Sequence, residues 1–378
     1  MQRFTFLLRS RIATPSLAVR ISQSRRFSIL SDISEVRRLR KSHLLSGETV
    51  GLVPTLGALH EGHLSLIRQA ARENKKVFVT IYLNPLQFAA TEDFRAYPKT
   101  WDEDIAKLRH LQADLLAPSH SGETPYGSIA AVFAPSTETL YPTLPPSSDP
   151  DADGTFVTVS PLDRFLEGGS RPTFFRGVAT VCTKLFNIVT PDRVYFGQKD
   201  VQQSVIIKRL VKDLCIGTEV IIGPTQRDSD GLALSSRNVY LGARRRKVAL
   251  SLRRGLKAAE ELYSRGETSA ERLVGCAMSV MREENGRQRR LDPTQAARFV
   301  VDYVRLSNVN TLEDEDDANI REGSILSAAI KVLPLDHGCT ADGESLGVGN
   351  DAGEVRLIDN VILPPRSQST RSGRADLG

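Results

Sequence analysis

Val50-Gly51-Leu52-Val53-Pro54-Thr55-Leu56-Gly57-Ala58-Leu59-His60-Glu61-Gly62-His63 is the stretch on which the reading of this 378-residue chain turns. Val50 to Val53 is a short apolar run ended by Pro54, the pattern of a buried strand. From His63 to Glu73, Leu64, Ile67 and Ala71 fall on one face, the pattern of a helix. Between the two, Gly57 and Gly62 allow backbone to approach a ligand closely. His60 and His63 are three apart and share a face of the first helical turn. Backbone N–H groups and the dipole at a helix start favour phosphate, and two imidazoles there can donate to phosphate oxygens as charge develops. A pair of ordinary surface histidines would need none of this setting, and a zinc site lacks a third ligand nearby.

Outward from this stretch the same alternation continues. Val77 to Leu83 reads as a second buried strand closed by Asn84-Pro85, Asp102 to Leu111 as a helix, and Asp114 to Ala117 as a third strand. Asp32 to Leu45 reads as a surface helix ahead of them. Gly177 to Ile188 and Val201 to Asp213 read as helices, and Arg193 to Phe196 and Glu219 to Gly223 as strands. Strand and helix in alternation predict an α/β fold with a parallel sheet, with ligands at the carboxyl ends of the strands. From residue 243 the texture changes. Helices over 243–265 and 269–286 precede strands at Phe299 to Leu306, Ser324 to Leu333 and Val355 to Asp359, a smaller α+β domain. The expected organisation is a ligand-binding domain over 31–225 and a C-terminal domain over 226–363, with 1–30 and 364–378 outside the fold. Stretches 118–130, 143–154 and 335–353 are rich in Ser, Gly, Pro and Asp and read as loops or insertions.

Composition narrows the function classes. Hydrophobic residues make up 40% and charged residues 25%, enough for a substantial core. No apolar run approaches the roughly 18 residues of a membrane span, so no membrane partner is expected. The net charge of +5 is unevenly placed. Six of the 50 basic residues lie in the first thirty positions with no acid among them, leaving 44 against 45 acids in the rest. The body of the chain therefore offers no bulk charge for nucleic acid. The N-terminal thirty residues, rich in Arg and Ser, have the composition of a mitochondrial transit peptide. The alternative is a basic extension on a cytoplasmic protein. Cys182, Cys215, Cys276 and Cys339 are too scattered for a metal site or a disulfide framework.

Five further segments are candidates to carry chemistry. Asn84 and Gln87 follow the second strand and could offer amides to a small polar substrate, although taken alone the segment reads as no more than a turn. Gly197-Gln198-Lys199-Asp200 again joins a strand to a helix. Lys199 is not a core residue type and can neutralise phosphate, Asp200 can cap the helix or hold Mg²⁺ or ribose, and Gln203 lies one turn on. Asp230 to Asn238 places Ser235, Ser236 and Arg237 on one loop, two hydroxyls and a guanidinium suited to a triphosphate. Arg171, in the Gly-rich Glu167 to Gly177, could receive a carboxylate. Asp102, Glu103 and Asp104 are candidates to help hold Mg²⁺, against the plainer reading of acids at a helix start.

His60-Glu61-Gly62-His63 is an HxGH pattern and resembles the nucleotide motif of class I synthetases and nucleotidylyltransferases. The set as a whole resembles the pantothenate synthetase (pantoate–β-alanine ligase) family more closely. The matching stretches are VPTLGALHEGH at 53–63, YLNPLQF at 82–88, SRPTFFRGVATV at 170–181, DRVYFGQKDVQQ at 192–203 and DGLALSSRNVYL at 230–241, in the family's order. VDYVRLSNVNTL at 301–312 and VRLIDN at 355–360 match as well. The resemblance implies a Rossmann-like fold, a homodimer and a two-step reaction using ATP and Mg²⁺. Pantoate takes the adenylyl group with loss of pyrophosphate, then β-alanine displaces AMP to give pantothenate. It implies an ATP site made of Pro54, Thr55, Leu56, Gly57, His60, Gly62 and His63, with Gly197 to Asp200, Gln226, and Leu234 to Arg237. His63 takes the family's proton-donor position, and Lys199 and Arg237 meet phosphates. Gln87 and Gln203, with Asn84 beside them, would bind pantoate, and Arg171 a substrate carboxylate. The chain departs from the family's usual residues with Leu56 for Met, Gln198 for Glu and Phe174 for the His common in bacterial members.

Two other classes stay open at this point. A nucleotidylyltransferase would share the fold but take a phosphorylated acceptor, for which Gln87 and Gln203 are poorly suited. A non-enzymatic nucleotide-binding protein would have no use for His60, His63, Lys199 and Arg237 together. A class I aminoacyl-tRNA synthetase would need a basic appendage that is not visible.

Overall fold

The computed structural model describes residues 26–88, 94, 97–117, 126–335, 344, 347 and 353–366. Strands β1 (Ser28–Leu30), β2 (Val50–Thr55), β3 (Lys76–Ile81), β4 (Ser128–Phe133), β5 (Arg193–Gly197) and β6 (Glu219–Gly223) form one parallel sheet in the order β1-β4-β3-β2-β5-β6. The connecting helices are α1 (Ile33–Leu45), α2 (Glu61–Glu73), α3 (Trp101–Leu115), the short α4 (Thr137–Leu140) and α5 (Leu166–Ser170), α6 (Phe174–Val189) and α7 (Val201–Asp213). Side chains alternate across the strands. Leu52 and Phe78 enter the core that includes residues of α1, α6 and α7, while Val53, Val77 and Val79 enter the core shared with α2 and α3. The α/β expectation with a Rossmann-like sheet holds.

The strand order reverses between β2 and β5, and there the sheet opens. The two strands pair only through Gly51–Arg193 and Leu52–Val194. β2 runs on through Pro54, two residues past its expected end, against β3 alone. The Thr55 carbonyl accepts from Tyr82 N on the β3 side, so alternation turns the Pro54 nitrogen toward β5, where no ladder bond is lost. Proline is tolerated in this central strand because the cleft begins beside it.

After β6 the chain forms α8 (Gly242–Ser264), α9 (Ala270–Gln288) and the antiparallel sheet β7 (Phe299–Asn308), β8 (Ser324–Val332) and β9 (Val355–Leu363), in the order β7-β8-β9. Leu252, Leu256 and Met281 from the helices meet Leu326 and Ile330 of β8 in a separate core. β9 lies against the turns at 198–200 and 236–240, so the smaller sheet rests on the edge of the cleft. No helix among the described residues is long and apolar enough to cross a membrane.

Three sequence expectations are corrected. Asp114 to Ala117 is not a strand. α3 continues to Leu115 because Ile105, Leu108, Leu111 and Leu115 form one buried helical row. The strand beside β3 is instead Ser128–Phe133, which begins in the last three residues of the 118–130 segment read as a loop and runs past it. Ser28–Leu30, placed in the N-terminal extension, pairs in parallel with Ala131 to Phe133 as the sheet's edge. The remainder of the extension before residue 26, the 118–125 part of the first insertion, nearly all of 336–352, and the tail from 367 lie outside the described residues, as does Cys339.

Candidate active site

The cleft is a cavity of about 1110 Å³ between the carboxyl ends of β2, β3 and β5 and the inner edge of the small sheet. Every residue expected at the site lines it, except Gly57, Gln198 and the three acids 102–104. Gly57 has φ +89° and turns the chain out of β2, a conformation that suits glycine.

His60 and His63 sit at the start of α2 as a reciprocal cap. Gly62 N donates to His60 Nδ1 at 3.1 Å, and His60 N donates to His63 Nδ1 at 3.3 Å. Each Nδ1 is thereby an acceptor, which leaves the proton of each neutral ring on Nε2. The rings lie face to face at a tilt, 4.1 Å between centroids. Burial, then the Lys199 charge, lowers the His60 pKa to about 4. Burial, then His60 and Lys199, holds His63 well below its usual value. Both imidazoles are therefore neutral near pH 7, able to donate a hydrogen bond to a developing charge without carrying one themselves.

Asp104 and Lys107 of α3 brace this loop from behind. Asp104 is 1% exposed, and its Oδ1 accepts from Leu59 N at 2.8 Å and from the Thr100 hydroxyl at 3.1 Å. Lys107 Nζ donates to the Leu59 carbonyl at 2.7 Å. Asp102 and Glu103 are exposed. Successive residues on a helix face different ways, so the three carboxylates do not converge. The Mg²⁺ assignment to Asp102, Glu103 and Asp104 is corrected accordingly: none lines the cavity. Among the described residues no group of three His, Cys, Asp or Glu side chains could hold a metal by itself.

On the far side of the cleft, Lys199 and Asp200 form an ion pair at 3.3 Å. Asp200 makes no side-chain cap on α7, contrary to one of the readings offered for it. Its carboxylate stays at the cavity wall instead. Ser235 Oγ accepts from Arg237 N at 3.2 Å, and Ser236 Oγ donates to the Ala58 carbonyl at 3.3 Å, joining this loop to the histidine loop. Gln226 pairs backbone with Leu234, its carbonyl accepting at 2.9 Å.

At the other end, Gln87 and Gln203 face the cavity from the turn after β3 and from α7. Asn84 is fully buried and bonded to Gln87, Tyr141 and the Gly177 carbonyl, so it supports the site rather than offering itself to a ligand. A Cβ on Gly177 would fall 2.2 Å from the Leu86 carbonyl, and glycine there lets α6 press against the 84–88 turn. Arg171 donates to the Gln87 carbonyl at 3.1 Å and lies 3.7 Å from the centroid of the Phe174 ring. Phe174 is thus a platform for Arg171. The apolar wall here is Tyr82, Phe175, Val178, Val181, Cys182 and Leu185. Burial pushes the Cys182 thiol up to about 12, so it stays protonated and inert.

Several contributors were missed from sequence. Asn360 donates to the carbonyls of Gln198 and Lys199, and its Oδ1 accepts from Gln198 Nε2 at 3.3 Å. This last bond uses the amide that distinguishes Gln198 from the family's usual Glu. Asp359 grips Arg227 at 2.6 and 2.9 Å. Arg356 joins Glu167 and Asp302, with the Tyr303 hydroxyl donating to Glu167 at 2.9 Å. The signal for Asn360, Asp359 and Arg356 was the VRLIDN stretch, visible as a match but with no local chemistry to assign.

A cavity at the switch point of a parallel sheet, with polar groups converging on it from separate loops, defines an α/β enzyme site of Rossmann-like type. Residues 28–362 match the family model described as pantoate-beta-alanine ligase, and the chain belongs to that family of enzymes. It is 38% identical over 335 residues to the pantothenate synthetase of Acetivibrio thermocellus, covering 89% of this chain and 99% of that one. The crystal structure of pantothenate synthetase from Thermus thermophilus aligns with a TM-score of 0.68 at 33% identity, over 90% of this chain and all of that one. The Francisella tularensis pantoate-beta-alanine ligase, complexed with beta-gamma ATP and beta-alanine, aligns with a TM-score of 0.60 at 29% identity, over 89% and 98% of the two chains.

Proposed function

We propose that the chain condenses pantoate with β-alanine at the cost of ATP, through a pantoyl adenylate. The observation that carries the reading is the set of groups lining one cavity. Neutral imidazole donors lie with Lys199 and the loop of Ser235, Ser236 and Arg237, Gln87 lies with Arg171, and Gln203 and an apolar wall line the same cavity. The first group suits a polyphosphate and the rest a small branched hydroxy acid, whose carboxylate would then lie toward the phosphates. In the first step a pantoate carboxylate oxygen bonds to the α-phosphorus and pyrophosphate leaves. In the second the neutral β-alanine amine bonds to the acyl carbon, AMP leaves and the nitrogen loses its proton. Orientation and stabilisation of phosphate charge account for most of such a reaction, which matches a site rich in donors and poor in titrating groups. Arg171, held over the Gln87 turn, is placed for a substrate carboxylate.

Mg²⁺ fits this site with Asp200 as its protein ligand. One carboxylate beside substrate phosphates is the usual magnesium arrangement, and the ion would neutralise charge on the phosphate oxygens. A homodimer is proposed from the family resemblance, to be checked by light scattering. Import into mitochondria is proposed from the Arg-rich, acid-free first thirty residues. Its check is whether residues 1–30 carry a fluorescent reporter into that compartment.

The test of the reaction uses the full chain with ATP and Mg²⁺. Pantoate alone should support exchange of labelled pyrophosphate into ATP, and AMP should accumulate only when β-alanine is added. AMP formation without prior exchange would remove the adenylate. Pyrophosphate release only with a phosphorylated acceptor would replace the ligase with a nucleotidylyltransferase.

A further inference from the structure

We propose that Tyr141, which lies outside every motif of the site, is a positioning residue that acts through Asn84 to fix Gln87 as a hydrogen-bond donor toward the acid-binding end of the cavity. One group in the cluster can only accept. The Gly177 carbonyl oxygen lies 3.2 Å from Asn84 Nδ2. A flipped Asn84 would set its own carbonyl against that oxygen, so the amide nitrogen must face it. Asn84 Oδ1 then faces the Tyr141 hydroxyl at 2.9 Å, and Tyr141 donates. The second hydrogen of Asn84 Nδ2 goes to Gln87 Oε1 at 3.0 Å. With its carbonyl engaged, Gln87 has its NH₂ left for the cavity, and that nitrogen makes no hydrogen bond within the described residues.

Everything behind this relay is held in place. Asn84 is 0% exposed and Gln87 7%. The Lys184 ammonium lies 4.7 Å from the centroid of the Tyr141 ring and donates to the Leu140 carbonyl at 2.8 Å, pinning the ring from the α6 side. Burial raises the Tyr141 pKa far above neutrality, so its hydroxyl keeps the proton it donates. Arg171 fixes the Gln87 backbone at 3.1 Å. A carboxamide turning freely would offer a donor or an acceptor to a ligand; this one offers a donor. The subsite is thereby set to receive an oxygen acceptor, a carboxylate or hydroxyl oxygen, which is the chemistry of a hydroxy acid. The inference rests on the reading that this end of the cavity binds the acid.

The experiment is a double-mutant cycle with Tyr141→Phe and Gln87→Ala, reading KM for the acid and KM for ATP in the full chain. Tyr141→Phe removes one oxygen and releases Asn84 to turn. The acid KM should rise roughly 5- to 20-fold, the worth of one hydrogen bond, with the ATP KM within about twofold of wild type. In the Gln87→Ala background the same change should add nothing, because the group it positions is gone. An equal rise in both backgrounds, or no rise in Tyr141→Phe alone, would overturn the proposal. The wild-type rate with pantoate tests the ligase reading separately. The cycle is read with whichever carboxylic acid the wild type activates in pyrophosphate exchange, so the two failures are distinguishable.

Discussion

Asn360 Nδ2 lies 2.9 Å from the carbonyl oxygen of Lys199, a bond that crosses from the small sheet to the loop presenting the cavity's lysine. The same nitrogen holds the Gln198 carbonyl at 2.9 Å, and the preceding residue, Asp359, grips Arg227 at the base of the 230–238 loop. Consecutive residues of β9 therefore fix both loops that converge on the phosphate end. Asn360→Asp would put a carboxylate against two carbonyls. Turnover should fall roughly ten- to a hundredfold, the range expected when a catalytic group is misplaced by about an ångström. The ATP KM should rise and the pantoate KM stay near wild type. Steady-state kinetics in each substrate checks this, and a loss confined to the pantoate KM would contradict it.

His63→Ala and Lys199→Ala should each lower turnover about a hundredfold or more, if each stabilises charge that develops on phosphate. His63 presents an Nε2–H with its Nδ1 engaged, so His63→Gln, which retains a donor, should recover part of the loss. Rates near wild type for both alanine variants would remove these residues from the mechanism.

The depressed pKa of both imidazoles has a consequence for stability. In the folded chain His60 titrates at about 4 and His63 well below its usual value, against about 6.5 when unfolded. Between those values the unfolded chain binds more protons, so stability rises with pH through the window. It should be lost as pH falls from 6.5 toward 4. Thermal melts across that range would measure the slope, and His60→Asn with His63→Asn should flatten it. Asn keeps the N-terminal cap of α2 at position 60.

The sequence made the regular elements readable where one period ran without interruption. Val201–Asp213 and Glu219–Gly223 coincide with the expected bounds. Asp114 to Ala117 was misread because a short apolar run does not distinguish a strand from the end of a helix, and Leu115 continues the row begun at Ile105. Ser28–Leu30 is too short to show a period and sits in an Arg-rich context. At the site, His60, His63 and Lys199 are legible because polar groups at strand ends and helix starts are poor core residues, whereas Gln87 and Gln203 are legible only through the family resemblance. Tyr141 and Asn360 do not stand out, since their bonds reach across 57 and 162 residues and each is an ordinary residue in its own segment. The acids 102–104 were overread: clustering in sequence is not convergence in space when the segment is helical.

Arg356 bridges two segments through carboxylates on either side. It lies between Glu167 of α5 and Asp302 of β7, with side-chain exposures of 17% for Arg356 and 10% for Glu167. Burial opposes its charge and the two carboxylates outweigh that, so its pKa is raised rather than lowered. Removing one partner of a buried ion pair strands the other. Arg356→Met should therefore lower stability by about 3–5 kcal/mol, read as a fall in the urea midpoint. Glu167→Gln in the same chain removes the stranded charge and keeps an acceptor for the Tyr303 hydroxyl, so the double variant should be more stable than Arg356→Met alone. If the double variant instead falls by the sum of the two single losses, the pair is not coupled and the contact between α5 and the small sheet rests on packing. If the midpoint recovers, charge pairing holds the small sheet against the segment that carries Arg171.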